Sequence, residues 1–355
     1  MLMIDAILSK PNKANELLEK LKNASEPVVV FTTGAAGRNT YRILSKHGVK
    51  IACFADNSKE KIGYRFKIGG ITAEVIGFEN IIDHYPDAYI VVPPRKYLRD
   101  IFGQFTATGY DNEKLIGTEF EVLEYKISNK SCEKVYSLLA DERSRAVFCS
   151  WLNYVQTGDI SYLTQDNDNN TIYFDDDIIS LSDRETVVDG GGYTGDTFLD
   201  FIGKVKTFER YYLCEPDPDS MRTAKNRLSL YAGVTYVSKG LWSGRDVLIF
   251  SALGSTASSL NEYGTIQVDV ISIDELLAGK AATFIKMNIE GAEIEALRGA
   301  IKTIHKYKPK LSISADHSVG DFINIPMLIH ELNPEYKLYL RHYLSGKTGM
   351  KCYAI

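Results

Sequence analysis

The stretch from Glu185 to Thr197, ETVVDGGGYTGDT, brings together residue types at a spacing that chemistry can use. A β-branched apolar run ends in Asp189. Gly190, Gly191 and Gly192 follow, Gly195 stands three residues on, and an amphipathic segment begins at Thr197. That order reads as strand, tight turn, helix. Glycine is required where the backbone turns sharply and lies against a ligand, because a Cβ excludes left-handed conformations and close approach.

Gly190, Gly192 and Gly195 fit the dinucleotide pattern G-x-G-x-x-G, and Glu215 ends the next strand at the distance of a ribose partner. The acid at Asp189 argues for a different ligand, since a carboxylate at the mouth of the turn repels a pyrophosphate. A cation suits it better. S-adenosylmethionine carries a sulfonium and an ammonium. Acids at Asp196, Asp217 and Asp219, with no Lys or Arg inside the turn, favour it over NAD.

The elements that must position these residues alternate. After the strand at 185–189, YYLCEP is a second strand ending in Glu215 and Pro216, followed by a helix begun by Pro218 and Asp219. VTYVSKGLW is a third strand, DVLIF and TIQVDVISI form an inserted hairpin, and TFIKMNI is the fourth core strand. NIEGAEIEALRGAIKTIHKY then reads as one helix with Ile294, Leu297, Ile301 and Ile304 on one face. LSISA ends at Asp316 and His317, and KLYLRHY with MKCYAI makes a closing antiparallel hairpin around the turn LSGKTG.

Upstream, residues 1–25 read as one amphipathic helix carrying Leu17, Leu18 and Leu21. Residues 27–117 alternate strand and helix and predict a parallel, doubly wound sheet. TTGAAG places Gly34 and Gly37 as the last two glycines of a dinucleotide turn, but Thr32 stands where the first belongs, while Asp56 ends the next strand in a ribose position. The missing glycine marks this as a degenerate nucleotide fold that serves as scaffold or acceptor-docking surface. From Glu119 to Leu181 the pattern turns helical, then passes into a polar acidic loop. There, Asp175, Asp176 and Asp177 are read as a solvated run or helix cap, with no metal site expected. The boundaries are therefore 1–117, a helical linker at 118–181, and 182–355.

With 355 residues, 45% apolar and 25% charged, the chain is long enough for two domains. A net charge of -5 argues against nucleic acid, whose phosphates call for a basic face. Five cysteines (Cys53, Cys132, Cys149, Cys214, Cys352) lack any C-x-x-C pair, so neither a zinc site nor a disulfide framework is indicated. Charges interrupt every apolar run near the N-terminus and no run approaches 18 apolar residues, so a cytoplasmic protein with neither export signal nor membrane span is expected.

VVDGGGYTGDT, LCEPDP, VDVISIDEL and FIKMNIEGAEIEALRGA, with YFDDDIISLSDRE upstream, resemble in order the motifs of the FkbM family of S-adenosylmethionine-dependent methyltransferases, over about residues 135–355. The resemblance implies an α/β class I methyltransferase fold, a Rossmann-like sheet of seven strands with the last antiparallel. It also implies O-methylation of sugars or polyketide-like hydroxyls without a redox cofactor. One residue departs from the pattern: the family motif usually has an acid where Asn288 stands, so that role passes to Glu290 or is lost. The smaller N-terminal domain lies outside the resemblance and is similar to degenerate nucleotide-binding domains attached to sugar-modifying enzymes.

Carried onto this chain, the resemblance assigns cofactor contact to Asp189, Gly190, Gly191, Gly192, Tyr193, Gly195, Asp196, Thr197, Glu215, Pro216 and Asn288. Glu215 would hold the ribose hydroxyls, the turn would pack on the methionine part, and Asp189 would face its cationic end. For the proton of a hydroxyl acceptor, a base near neutral pKa contributes about 10² to 10⁴ in rate. His317, just past the fifth strand, is the first candidate, with Asp316 or Glu290 to orient it; His342 is the second. Ser258, Ser259 and Asn261 are candidates for the acceptor pocket. An amine acceptor, an NAD-dependent oxidoreductase and a non-catalytic binding module are the alternative readings.

Overall fold

A computed structural model describes residues 2–68, 71–94, 97–163, 172–251, 265–344 and 348–355. Ser258, Ser259 and Asn261 lie outside the described residues. By internal contacts the chain divides into two units, Met1–Asn129 with Cys149–Thr164 and Lys130–Phe148 with Gln165–Ile355. The segment expected as a linker is thus shared out: 118–129 and 149–164 belong to the first unit, 130–148 and 165–181 to the second.

The first unit is built on β1 (Val28–Phe31), β2 (Ile51–Ala55), β3 (Arg65–Ile68), β4 (Ile71–Ile76), β5 (Tyr89–Val91) and β6 (Leu115–Ile116), in the spatial order β3-β4-β2-β1-β5-β6. All pairings are parallel except the β3–β4 hairpin, which the strand–helix alternation did not reveal. The single N-terminal helix expected over 1–25 is two, Leu2–Leu8 and Lys13–Lys22. Pro11 has no N–H to continue the first, and the Asn12 side chain starts the second by accepting from Asn15 N at 3.0 Å. At the TTGAAG turn, Thr32 itself takes the left-handed conformation, φ 92°. Asp56 is not held out for a ribose: its Oδ2 accepts from Thr33 N at 3.0 Å and Thr33 Oγ1 at 2.6 Å, and Lys61 lies 3.3 Å away.

The second unit holds β7 (Thr186–Gly190), β8 (Arg210–Cys214), β9 (Val234–Val237), β10 (Gly240–Leu241), β11 (Asp246–Ser251), β12 (Thr265–Ile271), β13 (Phe284–Met287), β14 (Lys310–Ser314), β15 (Leu338–His342) and β16 (Met350–Ala354). Seven of them form one mixed sheet in the order β15-β16-β14-β13-β7-β8-β9. The last strand in the chain, β16, runs antiparallel to both neighbours, β14 and β15, and is inserted between them. β11 and β12 pair antiparallel, as the inserted hairpin predicts, and with β10 make a small second sheet. β7, β13 and β14 are buried along almost their whole length because both faces of the sheet are covered, and Asp189, Lys286, Ser312 and Ser314 are buried with their apolar neighbours. Phe174, Phe198, Phe201, Tyr211 and Phe284 pack on one side, Phe198 standing edge-on to Tyr211 at 4.9 Å between ring centroids.

The helix expected to run unbroken after β13 is two, Glu293–Arg298 and Ile301–Tyr307. Gly299 sits at the break, where a Cβ would lie 2.1 Å from the Trp242 carbonyl oxygen. Asp274 then caps the second helix through Lys302 N (2.9 Å) and Thr303 N (2.8 Å), and Ile301 is left exposed. Register aligns the strand ends: Met287 pairs with Gly190, Gly190 with Cys214, and Met287 with Ile313. Gly191, Glu215, Asn288 and Ser314 therefore lie at one level along the carboxyl edge of the sheet, where open α/β folds bind ligands.

Candidate active site

The turn after β7 is locked by its own hydrogen bonds. Gly191 N and Gly192 N both donate to the Cys214 carbonyl at 3.0 Å, Tyr193 N donates to Glu215 Oε2 at 3.0 Å, and Gly195 N donates to the Gly192 carbonyl at 2.8 Å. Four N–H groups of the turn are thus taken up within the protein. Gly191 (φ 73°) and Gly195 (φ 82°) occupy left-handed backbone, and a Cβ on Gly191 would lie 2.0 Å from the Asn288 carbonyl oxygen. Thr197 is buried in the first turn of helix Asp196–Ile202, whereas Asp196 and Tyr193 are exposed beside the turn.

Glu215 follows β8 and is nearly buried. Its Oε1 accepts from Asp217 N at 2.8 Å while Oε2 holds Tyr193 N, so two backbone donors fix the carboxylate and leave its remaining lone pairs for a ligand. Burial holds its pKa above the usual carboxylate range, against the pull of those two donors. Beyond it lies a cleft of about 450 Å³ lined by Pro216, Pro218, Met221, Arg222, Lys225, Asn226 and Ser238.

Asp189 departs from expectation. It is fully buried, 2.8 Å from Lys286 Nζ, and it accepts from the Tyr211 hydroxyl at 2.8 Å. Lys286 Nζ also donates to the carbonyls of Gly190 (3.1 Å) and Gly191 (2.8 Å). The acid's charge is thus neutralised beneath the turn and braces it from inside, because β13 pairs Lys286 directly against Asp189. Asp217 and Asp219 do not line the turn either: Asp217 caps helix Pro218–Arg227 through Ser220 N at 2.7 Å, and Asp219 pairs with Arg222.

On the other side of the turn, the loop after β13 is organised by Glu293. Its Oε1 accepts from Ile289 N at 2.8 Å and its Oε2 from Gly291 N at 3.0 Å, and between them Glu290 adopts a left-handed φ of 58° that directs an exposed carboxylate outward. His317 Nδ1 lies 3.0 Å from Glu293 Oε1, an ion pair whose angle is poor for a hydrogen bond, and its Nε2 is 3.9 Å from Glu290 Oε1. Burial alone would lower the His317 pKa. The adjoining Glu293 carboxylate, helped by Asp316 and Glu290, overrides burial and raises it to about 9. His317 is therefore an imidazolium at neutral pH, not the neutral base the sequence suggested.

An acid fixed at the end of the second strand, a glycine turn held by its own hydrogen bonds and a charged cluster after the fourth strand make up the candidate site. Residues 189–344 match the model of the methyltransferase FkbM domain. The second unit carries an FkbM methyltransferase domain. The protein is a methyltransferase. The whole chain is similar in fold to methyltransferase FkbM from Methylobacillus flagellatus KT, at TM-score 0.69 and 21% identity, covering 100% of this chain and 97% of that one. Weaker likenesses that bear no weight are to precorrin-6y C5,15-methyltransferase from Geobacter metallireducens GS-15 (TM-score 0.32, 10% identity, 49% of this chain and 81% of that one). Another is to Aeropyrum pernix fibrillarin with natively bound S-adenosyl-L-methionine (TM-score 0.32, 8% identity, 50% and 70%). No curated protein matches the chain.

Within the FkbM domain, His342 is buried in the closing hairpin, pairing across it with Met350, and its Nε2 lies 3.1 Å from the Thr348 carbonyl oxygen. The three adjacent acids upstream of the domain scatter to separate tasks. Asp175 is buried and accepts from the Tyr343 hydroxyl at 2.6 Å, Asp176 pairs with Lys204 at 2.6 Å, and Asp177 is exposed 3.8 Å from Arg143. Reasoning on the sequence missed Lys286 and Glu293, although both lie inside FIKMNIEGAE, three residues before and three after the Ile289–Glu290 pair. It also missed Lys351, which β16 brings into the same edge from far along the chain.

Proposed function

We propose that this protein transfers a methyl group from S-adenosylmethionine to a hydroxyl oxygen of a glycan or small hydroxylated metabolite. The observation that carries the reading is Glu215: a carboxylate pinned by two backbone donors at the end of β8, beside a turn in which the N–H groups of Gly191, Gly192, Tyr193 and Gly195 are taken up within the protein. Its free lone pairs suit a pair of ribose hydroxyls, the cleft at Pro216, Met221 and Ser238 suits an adenine, and the turn with Asn288 suits the amino-acid end. Bound there, S-adenosylmethionine supplies a sulfonium methyl whose transfer to oxygen leaves the bonding electron pair on sulfur, so the donor needs no activation.

What remains for the protein is to place the hydroxyl and take its proton. Glu290 is the group that takes it at neutral pH: its carboxylate is exposed, held outward by the Glu293-braced loop, and accompanied by the His317 cation. His317 orients Glu290 and becomes able to accept a proton itself only as the pH nears 9. The five free thiols agree with a reducing, cytoplasmic setting.

Isothermal titration with S-adenosylhomocysteine and with NAD tests the donor: binding of the former alone is expected, and tight NAD binding overturns the proposal. A tritiated-methyl assay over hydroxylated acceptors then identifies the product, and label recovered only as a methylamine shifts the reading to nitrogen.

A further inference from the structure

The segment that leads into the second unit's sheet is fastened on both sides of Tyr173. The Ile172 carbonyl accepts from the Tyr353 hydroxyl at 2.7 Å, the Phe174 ring is buried with its centroid 5.2 Å from that of Phe284, and Asp175 accepts from the Tyr343 hydroxyl at 2.6 Å. Between these anchors the Tyr173 ring centroid lies 4.8 Å from Lys286 Nζ and 5.3 Å from Lys351 Nζ. Two ammonium groups attracted to its π-system and two anchored neighbours hold the ring in place. Lys286 Nζ also donates to the Gly191 carbonyl at 2.8 Å, so the ring stands beside the glycine turn.

Tyr173 is half-buried, yet its hydroxyl makes no hydrogen bond among the described residues. Burial, with the carboxylates of Asp189, Asp196, Asp316 and Glu290 around it, holds its pKa above the ordinary phenol value. The group stays neutral, with lone pairs and an O–H both unspent. The field around it favours a cation. Lys286 is balanced by Asp189 at 2.8 Å, the carboxylates of Asp316, Glu293 and Glu290 act on Lys351, and neither Asp196 nor Asp316 pairs with a cation among the described residues. Asp189, the acid expected to face the donor's cationic end, is shut beneath the turn, and an unspent phenol stands beside that same turn.

We propose that Tyr173 is a donor-binding residue whose phenol oxygen accepts a hydrogen bond from the α-ammonium group of S-adenosylmethionine, in the place expected of Asp189. This inference rests on the methyl-transfer reading, which puts the ribose at Glu215 on the β8 side and leaves the amino-acid end to the turn and the β13 side. A neutral oxygen suits the task there, because it adds an acceptor for the ammonium without adding charge beside the buried Asp189–Lys286 pair.

Calorimetry on the full chain tests this by comparing the wild type with Tyr173→Phe, which keeps the ring over both lysines and removes only the oxygen. The probes are S-adenosylhomocysteine, its analogue without the α-amino group, its analogue without the carboxylate, and methylthioadenosine, which lacks the amino-acid part altogether. Tyr173→Phe should weaken S-adenosylhomocysteine and the decarboxylated analogue by about tenfold, the scale of one hydrogen bond to a charged group, and leave the deaminated analogue and methylthioadenosine unchanged. Equal affinity of both proteins for S-adenosylhomocysteine, a loss shared by methylthioadenosine, or a loss that follows the carboxylate instead of the amine overturns the inference and leaves the methyltransferase reading standing. A wild type that binds neither S-adenosylhomocysteine nor methylthioadenosine overturns the donor reading, and this inference with it.

Discussion

Glu215 and His317 show how a titratable residue acquires its role from its surroundings. Glu215 is fixed by backbone donors and keeps lone pairs free, so Glu215→Ala should weaken S-adenosylhomocysteine binding by about 1 to 3 kcal/mol in calorimetry, the range for hydrogen bonds to a charged group. Unchanged affinity removes Glu215 from the site. His317 owes its state to Glu293, and its imidazole resonances should titrate near pH 9 by NMR, falling toward 6.5 in Glu293→Gln. A histidine whose folded pKa lies above its unfolded value contributes stability that is complete below about pH 6.5 and is lost as the pH rises to about 9. Urea unfolding of the wild type should therefore lose stability over that window by more than His317→Ala does; equal losses refute the ion pair. His317→Ala should also spare S-adenosylhomocysteine affinity while lowering turnover.

Between neighbouring elements, the decisive contacts join β7, β13 and the loops that follow them. Asp189 on β7 and Lys286 on β13 form a buried pair that ties the glycine turn to the fourth strand. Removing one partner leaves the other charge buried and unpaired, so Lys286→Met should cost about 3 to 5 kcal/mol in chemical unfolding, and a second change of Asp189→Asn should recover part of it. Additive losses would show that the two do not act as a pair. Gly191 offers a second check on the same junction. A side chain there meets the Asn288 carbonyl at 2.0 Å in a left-handed backbone, so Gly191→Ala should lower both the melting temperature and the affinity for S-adenosylhomocysteine. Retention of both would mean that the turn relaxes freely. The breaks at Pro11 and Gly299 belong to this scale as well: the Pro11 break is in the residue type, whereas the Gly299 break depends on the approach of Trp242, which no helical periodicity encodes.

Across the whole molecule, a ligand that binds the native state raises apparent stability by mass action, about 2.7 kcal/mol at one hundred times its Kd. S-adenosylhomocysteine should therefore raise the melting temperature in a concentration-dependent way and NAD should not; a shift with NAD alone would reverse the assignment. The alternation of strand and helix, the glycine turn, the acid that follows β8 and the antiparallel close of the seven-stranded sheet were legible in the residues themselves. Those signals are local: turns demand glycine, caps demand short polar side chains, and buried strands demand β-branched apolar runs. The β3–β4 hairpin was not legible, nor was the inward turn of Asp189, the stabilisation of the His317 cation by the Glu293 carboxylate or the hydrogen bonds from Lys351 Nζ to Ser314 Oγ and from Ser314 Oγ to Asn288 Oδ1. Each depends on which strands lie side by side, and β16 reaches Ser314 from 37 residues away. Charge and hydrogen bonding act through space, so the sequence determined which groups were available and at which strand ends they stand, while only the tertiary structure decided which of them face each other and which keep lone pairs or N–H groups unspent.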